Sequence, residues 1–185
     1  MTKWNQKRRT MLHYDQSSEV YDNQYGEEQE AKINAALSSF SLEKDNVLLD
    51  MGCGTGILFS QIAKKVKLVV GIDISIPILT KAKKRKNGTK NISLIRADAD
   101  HAPFLNETFD TVFAVTLIQN IPTKSRAISE IKRVARQKAT IVITGLKKTF
   151  SQREFTSLLR DAGLETMALN LDERLKDYIA ICVKS

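Results

Sequence analysis

Within residues 27–40, Ile33, Ala36, Leu37 and Phe40 recur every three or four positions, a spacing that predicts a helix with one apolar face. The pattern then changes. Val47-Leu48-Leu49 is an unbroken apolar run ending in Asp50 and a glycine-rich turn, after which Ile57, Leu58, Ile62 and Ala63 return to helical spacing. That succession predicts strand, tight loop, helix. A second apolar run over 67–72 is followed by Asp73; Ser75 can cap the next helix, Pro77 fits its first turn, and Asn87-Gly88 stops it. Further strands are predicted at 92–95, 109–116 and 139–144, with a helix opening at Pro122 and carrying Ala127, Ile128, Ile131 and Val134 on one side. A last helix over 151–162, stopped by Gly163, precedes two closing strands at 165–171 and 178–183.

Strands that read as continuous apolar runs between amphipathic helices predict a mostly parallel sheet covered on both faces. The fold class is α/β, doubly wound. In such sheets ligands bind outside the carboxyl ends of the strands, where the strand order reverses. The loops after the first four strands are therefore where chemistry is expected.

A chain of 185 residues has room for one hydrophobic core, and no repeat or low-complexity block divides it. The longest apolar runs fall far short of the roughly 20 residues that span a bilayer. The cationic start, through Lys3, Lys7, Arg8 and Arg9, leads into polar and acidic residues rather than a signal peptide's apolar region. Cys53 and Cys182 cannot make a disulfide framework and have no Cys or His neighbours for a structural zinc. The expectation is a reduced, cytoplasmic protein without membrane insertion or a metal.

The first loop reads Asp50-Met51-Gly52-Cys53-Gly54-Thr55-Gly56. Alternate glycines let a ligand approach the backbone, and the following helix offers unpaired N–H groups to negative charge; a tight strand-to-helix connection would also use them. The second loop separates these alternatives. Asp73 closes the neighbouring strand 17 residues beyond Gly56, where a carboxylate can accept both hydroxyls of a ribose, while Ser75 is better placed than Asp73 to cap the helix. A nucleoside-containing ligand follows. A dinucleotide does not, because Ile57 or Phe59 stands where the third glycine of that fingerprint belongs.

Val47-Leu-Leu-Asp-Met-Gly-Cys-Gly-Thr-Gly, Val70-Gly-Ile-Asp-Ile-Ser, Arg96-Ala-Asp-Ala and Thr108-Phe-Asp-Thr-Val-Phe together resemble the class I, Rossmann-like S-adenosylmethionine-dependent methyltransferases over roughly residues 14–183. The resemblance implies a seven-stranded sheet with an antiparallel last strand. It implies that Gly52, Cys53, Gly54 and Gly56, supported by Asp50, cradle the methionine and ribose of S-adenosylmethionine. Asp73 would hold the ribose, Ile74 would lie against the adenine, and Asp98 with Ala99 would meet the adenine amino edge. Thr116 to Asn120 would face the substrate. Tyr14-Asp15 and Tyr21-Asp22 are similar to the Tyr-Asp pairs that precede this domain in many members, where the aromatics form a lid over the cofactor; packing of one N-terminal helix carrying Tyr14, Tyr21 and Tyr25 is the alternative. Residues 1–40 thus divide off as a basic arm and helical lid, and 41–185 as the methyltransferase domain.

Methyl transfer from a sulfonium needs alignment more than a protein nucleophile, and alignment of this kind is worth roughly 7 to 11 kcal/mol. Where comparable family members carry a His base, this chain has Gln119 and Asn120. Amides orient protons without removing them, so these two are the candidate catalytic positions and a nitrogen that loses its proton after transfer is the favoured acceptor. Asn120 would equally serve as a cap for the helix at Pro122. His101, near the expected adenine, reads as a loop residue, and His13 lies close to the proposed lid.

There are 29 Lys and Arg against 21 Asp and Glu, and residues 64–90 and 124–153 each hold nine of the bases and one acid. Such clusters can track a phosphate backbone or simply solvate helix faces. No insertion covers the acceptor side between Gly145 and Ser151, which suits a bulky substrate unless the N-terminal segment closes the pocket. RNA is therefore the favoured substrate. A small metabolite or protein side chain is the alternative, and a catalytically silent cofactor-binding partner subunit is a third.

Overall fold

The computed structural model describes residues 2–18 and 20–184, except for the side chains of Ser17 and Tyr21. Two N-terminal helices, α1 (Lys3–Ser17) and α2 (Tyr21–Leu37), precede β1 (Val47–Met51), α3 (Phe59–Ile62), β2 (Leu68–Asp73), α4 (Ile76–Lys86), β3 (Ile92–Arg96) and β4 (Phe109–Ala114). Then follow α5 (Lys124–Val134), β5 (Ala135–Leu146), α6 (Gln152–Asp161), β6 (Leu164–Asn170) and β7 (Asp177–Lys184). The strands form one seven-stranded sheet in the order β3-β2-β1-β4-β5-β7-β6. The first five are parallel, and β7 runs antiparallel to both β5 and β6. The order reverses between β1 and β4, so the cleft belongs where these strands end.

Both sheet faces are covered. Leu49, Met51, Val112 and Ile141 pack with Ile128, Ile131, Phe155 and Leu159 on one side. Leu48, Val69, Phe113 and Val142 pack with Ile33, Ala36, Phe59 and Ala82 on the other. Continuous apolar runs follow directly, since a strand buried on both faces has no polar side.

Several boundaries differ from the pattern's expectation. The alternative of one N-terminal helix carrying Tyr14, Tyr21 and Tyr25 does not hold, because two helices form, with Tyr14 on α1 and Tyr25 on α2. The helix expected over 27–40 begins six residues earlier, at Tyr21, and its first turns present no apolar stripe that would have marked them. The helix expected around 57–63 is only Phe59–Ile62. The fourth strand stops at Ala114 rather than 116 because Thr116 has a left-handed backbone, φ 57°. The helix after it starts at Lys124, not Pro122. Among the described residues, no helix is long and apolar enough to cross a membrane.

Candidate functional site

Parallel pairing of β1 and β2 brings Asp50 opposite Gly71 and Met51 opposite Ile72, so the glycine loop emerges beside Asp73. The Gly52 and Cys53 N–H groups both donate to the Ile72 carbonyl, at 2.8 and 2.9 Å, and fold the loop back over β2. Gly52 has φ 77°, and a Cβ there would lie 2.8 Å from Leu117 Cδ1. Gly54 also has a positive φ, but a Cβ there would meet nothing within 4 Å. Its backbone faces open space, as a ligand cradle requires.

Asp73 accepts from Gly54 N at 3.1 Å and from Ser75 N at 2.9 Å, one bond on each carboxylate oxygen. The second bond makes Asp73 part of the α4 entry. Ser75 also caps α4 by accepting from Ile78 N, and its hydroxyl donates to Asp15 Oδ1 at 2.5 Å. Desolvation raises the Asp73 carboxyl above its usual value against three backbone hydrogen bonds, and Asp15 adds to the rise. Asp50, buried behind the loop, is pushed up to about 8 by desolvation and then by the Asp73 charge. The Asp73 charge thus adds to the rise at Asp50, as Asp15 adds to the rise at Asp73, so each acid sits near another carboxylate.

Above the sheet's end lies an open cleft. Its wall includes Gly52, Gly54, Asp73, Ile74, Asp98 and Ala99 from the first three loops, and Thr116 and Asn120 from the fourth. Lys7, Thr10 and Tyr14 of α1 close the opposite side. A smaller cavity shares Gly52 and Gly54 and continues to Asp50, Cys53, Gln29 and Ile33. The structure thus brings together all the expected residues except three. Gly56 and Gln119 line neither space, and the Tyr21 side chain lies outside those described. Gln119 Oε1 is instead buried without a hydrogen-bond partner.

Asn120 does not cap α5. Its Nδ2 donates to Tyr14 Oη at 2.8 Å and to the Thr116 carbonyl at 2.7 Å. Burial pushes the Tyr14 hydroxyl up to about 12, with the Asp73 and Tyr25 charges adding and the Asn120 bond opposing. At neutral pH Tyr14 is therefore a phenol, able to donate but not to act as a base. His101 is exposed, lines neither space, and lies against the Arg126 guanidinium.

Two sets of polar residues went unread in the sequence. On α1, Lys7 binds Asp98 and Asp100 at 2.6 and 2.7 Å, while the Thr10 hydroxyl donates to the Asn120 carbonyl at 3.4 Å. Lys7, Thr10, Met11, Tyr14 and Asp15 form the half-buried face of α1, and their three- and one-residue steps were visible in the chain. On α2, Lys32 is only 1% exposed. Its ammonium donates to Thr116 Oγ1 at 2.9 Å and lies 3.3 Å from Asp177 Oδ1 and 3.2 Å from Glu28 Oε1. Gln29 and Lys32 precede Ile33 and Ala36 by four residues each, so they continue the apolar face.

A doubly wound sheet with a cleft at its reversal point, walled by a glycine loop and the acid at the next strand's end, defines the class. The family described as "Methyltransferase domain" matches residues 49–143, just over half of the chain. The protein belongs to the class I S-adenosylmethionine-dependent methyltransferase family. It is 26% identical over 144 residues to the malonyl-[acyl-carrier protein] O-methyltransferase of Marinomonas sp. (strain MWYL1), covering 77% of this chain and 53% of that one. It is 32% identical over 127 residues to the phosphatidylethanolamine N-methyltransferase of Cereibacter sphaeroides, covering 67% and 62%. The chain spans about half the length of most curated relatives it matches. In fold it is similar to a chain from the complex between the Haloferax volcanii Trm112 methyltransferase activator and its candidate methyltransferase. That likeness has a TM-score of 0.82 at 16% identity, over 92% of this chain and 97% of the other.

Proposed function

We propose that the protein transfers a methyl group from S-adenosylmethionine to a small acceptor, with nitrogen the favoured acceptor atom. The observation that carries this reading is the pairing of an open glycine backbone at Gly54 with the Asp73 carboxylate 3.1 Å from its N–H. A bound S-adenosylmethionine supplies an electrophilic methyl on a cationic sulfur. Asp73 would accept the ribose hydroxyls, Ile74 and Ala99 would flank the adenine, and Asp98 would face its amino edge. Asp50, Cys53 and Gln29 line the smaller cavity, which suits the methionine end, and an ionised Asp50 there would meet a ligand's positive charge. Asn120 and Tyr14 would orient the acceptor by hydrogen bonds. Since neither takes up a proton at neutral pH, the acceptor must bring its own lone pair, as an amine does.

The small-acceptor reading is supported by α1, which walls the cleft that would otherwise open to a bulky substrate, so that the lid role falls to α1. The RNA reading rests on the basic clusters. Several of their members are engaged internally, Arg85 with Asp22, Arg133 with Glu130 and Arg136 with Asp110, as is Lys7 of the basic N-terminus with Asp98. Lys67 and Lys90 flank the starts of β2 and β3, at the end of the sheet away from the cleft. Incubation with methyl-labelled S-adenosylmethionine and fractionated cell extract tests both. Label in small-molecule or lipid fractions is expected, and label confined to RNA would replace the small acceptor by RNA. Should the isolated chain transfer nothing, repeating the assay with an activator of the type in the Haloferax complex tests the partner-dependent form of the same reading.

A further inference from the structure

Among the described residues Thr116 is the only β-branched one with a positive φ. Side chains of that shape are rarely found there, so the surroundings must hold it. They do so at every polar atom. Thr116 N donates to Thr144 Oγ1 at 2.8 Å, its carbonyl accepts from Asn120 Nδ2, and its hydroxyl donates to Gln29 Oε1 at 3.0 Å while accepting from Lys32 Nζ. The turn so fixed carries Val115, Thr116 and Leu117 into the cleft wall. Leu117 also lies against Gly52, which joins the turn to the glycine loop.

Lys32 reaches this turn from α2 through the protein interior. Its ammonium is balanced by Asp177, fully buried at the start of β7, and by Glu28, which also binds Lys176 at 2.6 Å. The balance is incomplete: Asp177 Oδ2 has no partner. Buried ion pairs are a poor means of stabilisation, and apolar residues of the same volume often do as well or better. A charge kept here, on the hydroxyl of a strained cleft residue, fixes geometry instead.

We propose that Lys32 is a positioning residue for methyl transfer: held by Asp177 and Glu28, it pins the Thr116 hydroxyl and so fixes the left-handed turn that forms the acceptor side of the cleft. The proposal rests on the methyltransferase reading above. It assigns Lys32 no contact with substrate.

The test is Lys32→Met in the full chain, which keeps the aliphatic stem and removes the ammonium. Three readouts are taken: calorimetry with S-adenosylhomocysteine, transfer of labelled methyl into cell extract, and amide NMR signals of residues 115–120. The expected result is a Kd within about threefold of wild type, as for a residue that acts only on the transfer step. Transfer should fall about 100-fold, the scale of a misplacement near 1 Å. The signals of 115–120 should broaden or double while those of the sheet stay unchanged. Sharp, wild-type signals for 115–120 together with wild-type transfer would overturn the proposal. If Lys32→Met does not fold, Lys32→Met with Asp177→Asn removes both charges together, and the same outcomes decide. Failure of the wild-type protein to bind S-adenosylhomocysteine would instead sink the methyltransferase reading.

Discussion

The two N-terminal helices meet the cleft in opposite ways. No described residue of α1 is buried; it is held by side-chain clasps, Lys7 on Asp98 and Asp100, Tyr14 on Asn120, and Asp15 on Ser75. By contrast α2 sends Ile33 and Ala36 into the core and carries a fully buried Lys32 to Thr116. Apolar burial stabilises by roughly 25 cal/mol per Å² and supports α2, whereas α1 rests on a few part-buried polar pairs whose groups water can take over when the helix lifts. The α1 cover is therefore expected to open without unfolding the protein, and the α2 cover is not. The loops bearing Asp73, Asp98 and Asn120 lie against α1, and the Thr116 turn is bolted to α2.

The largest expected effect breaks the fixed half. Ile33→Ala should lower unfolding free energy by about 3 kcal/mol, measured by denaturant titration, because it hollows a site with little freedom to collapse. A loss below about 1 kcal/mol would mean that α2 is as detachable as α1. Next in size, Asp73→Ala should weaken S-adenosylhomocysteine binding about 100-fold by calorimetry, since charge-assisted hydrogen bonds contribute about 1.5 to 3 kcal/mol each. Unchanged affinity would remove the ribose role.

Asp50 sharpens the electrostatic side of the comparison. Because its carboxyl sits at about 8 when folded and has an ordinary value of 3.8, the fold holds a proton that the unfolded chain releases between those values. Its contribution is thus fully present below pH 3.8 and lost as pH rises toward 8. A cationic ligand favours the carboxylate, so binding at pH 7 should release close to one proton, read from calorimetry in buffers of different ionisation enthalpy. Asp50→Asn should abolish both the release and that part of the stability slope. The smallest effect belongs to the detachable half. Lys7→Ala takes the cation from Asp98 and the buried Asp100, and should speed hydrogen exchange across α1 while leaving α2 protected, with a smaller loss of global stability than Ile33→Ala.

The sheet and the cleft's sheet-side wall were legible because each rests on a local rule. Buried parallel strands read as apolar runs, Ser75 and Asn87 mark the ends of α4, and Asp50, Gly52, Gly54 and Asp73 follow from where β1 and β2 end. The α1 side was less legible, since Lys7 in a basic stretch looks solvated until Asp98 and Asp100, 91 and 93 residues later, are placed beside it. The Lys32 network was hidden for the same reason, with Thr116 84 and Asp177 145 residues away. Gln119 was a candidate through its neighbour Asn120, yet the single 3₁₀ turn over Ile118–Asn120 turns its carboxamide oxygen away from solvent into an unpartnered position, while Asn120 meets the cleft.

The most direct test of the central claim is a calorimetric titration of the wild-type protein with S-adenosylhomocysteine. Equimolar binding in the micromolar range, undisturbed by a nicotinamide dinucleotide, is the predicted result. Absence of binding, with the protein shown to be folded, would contradict the assignment of this cleft to an adenosyl cofactor.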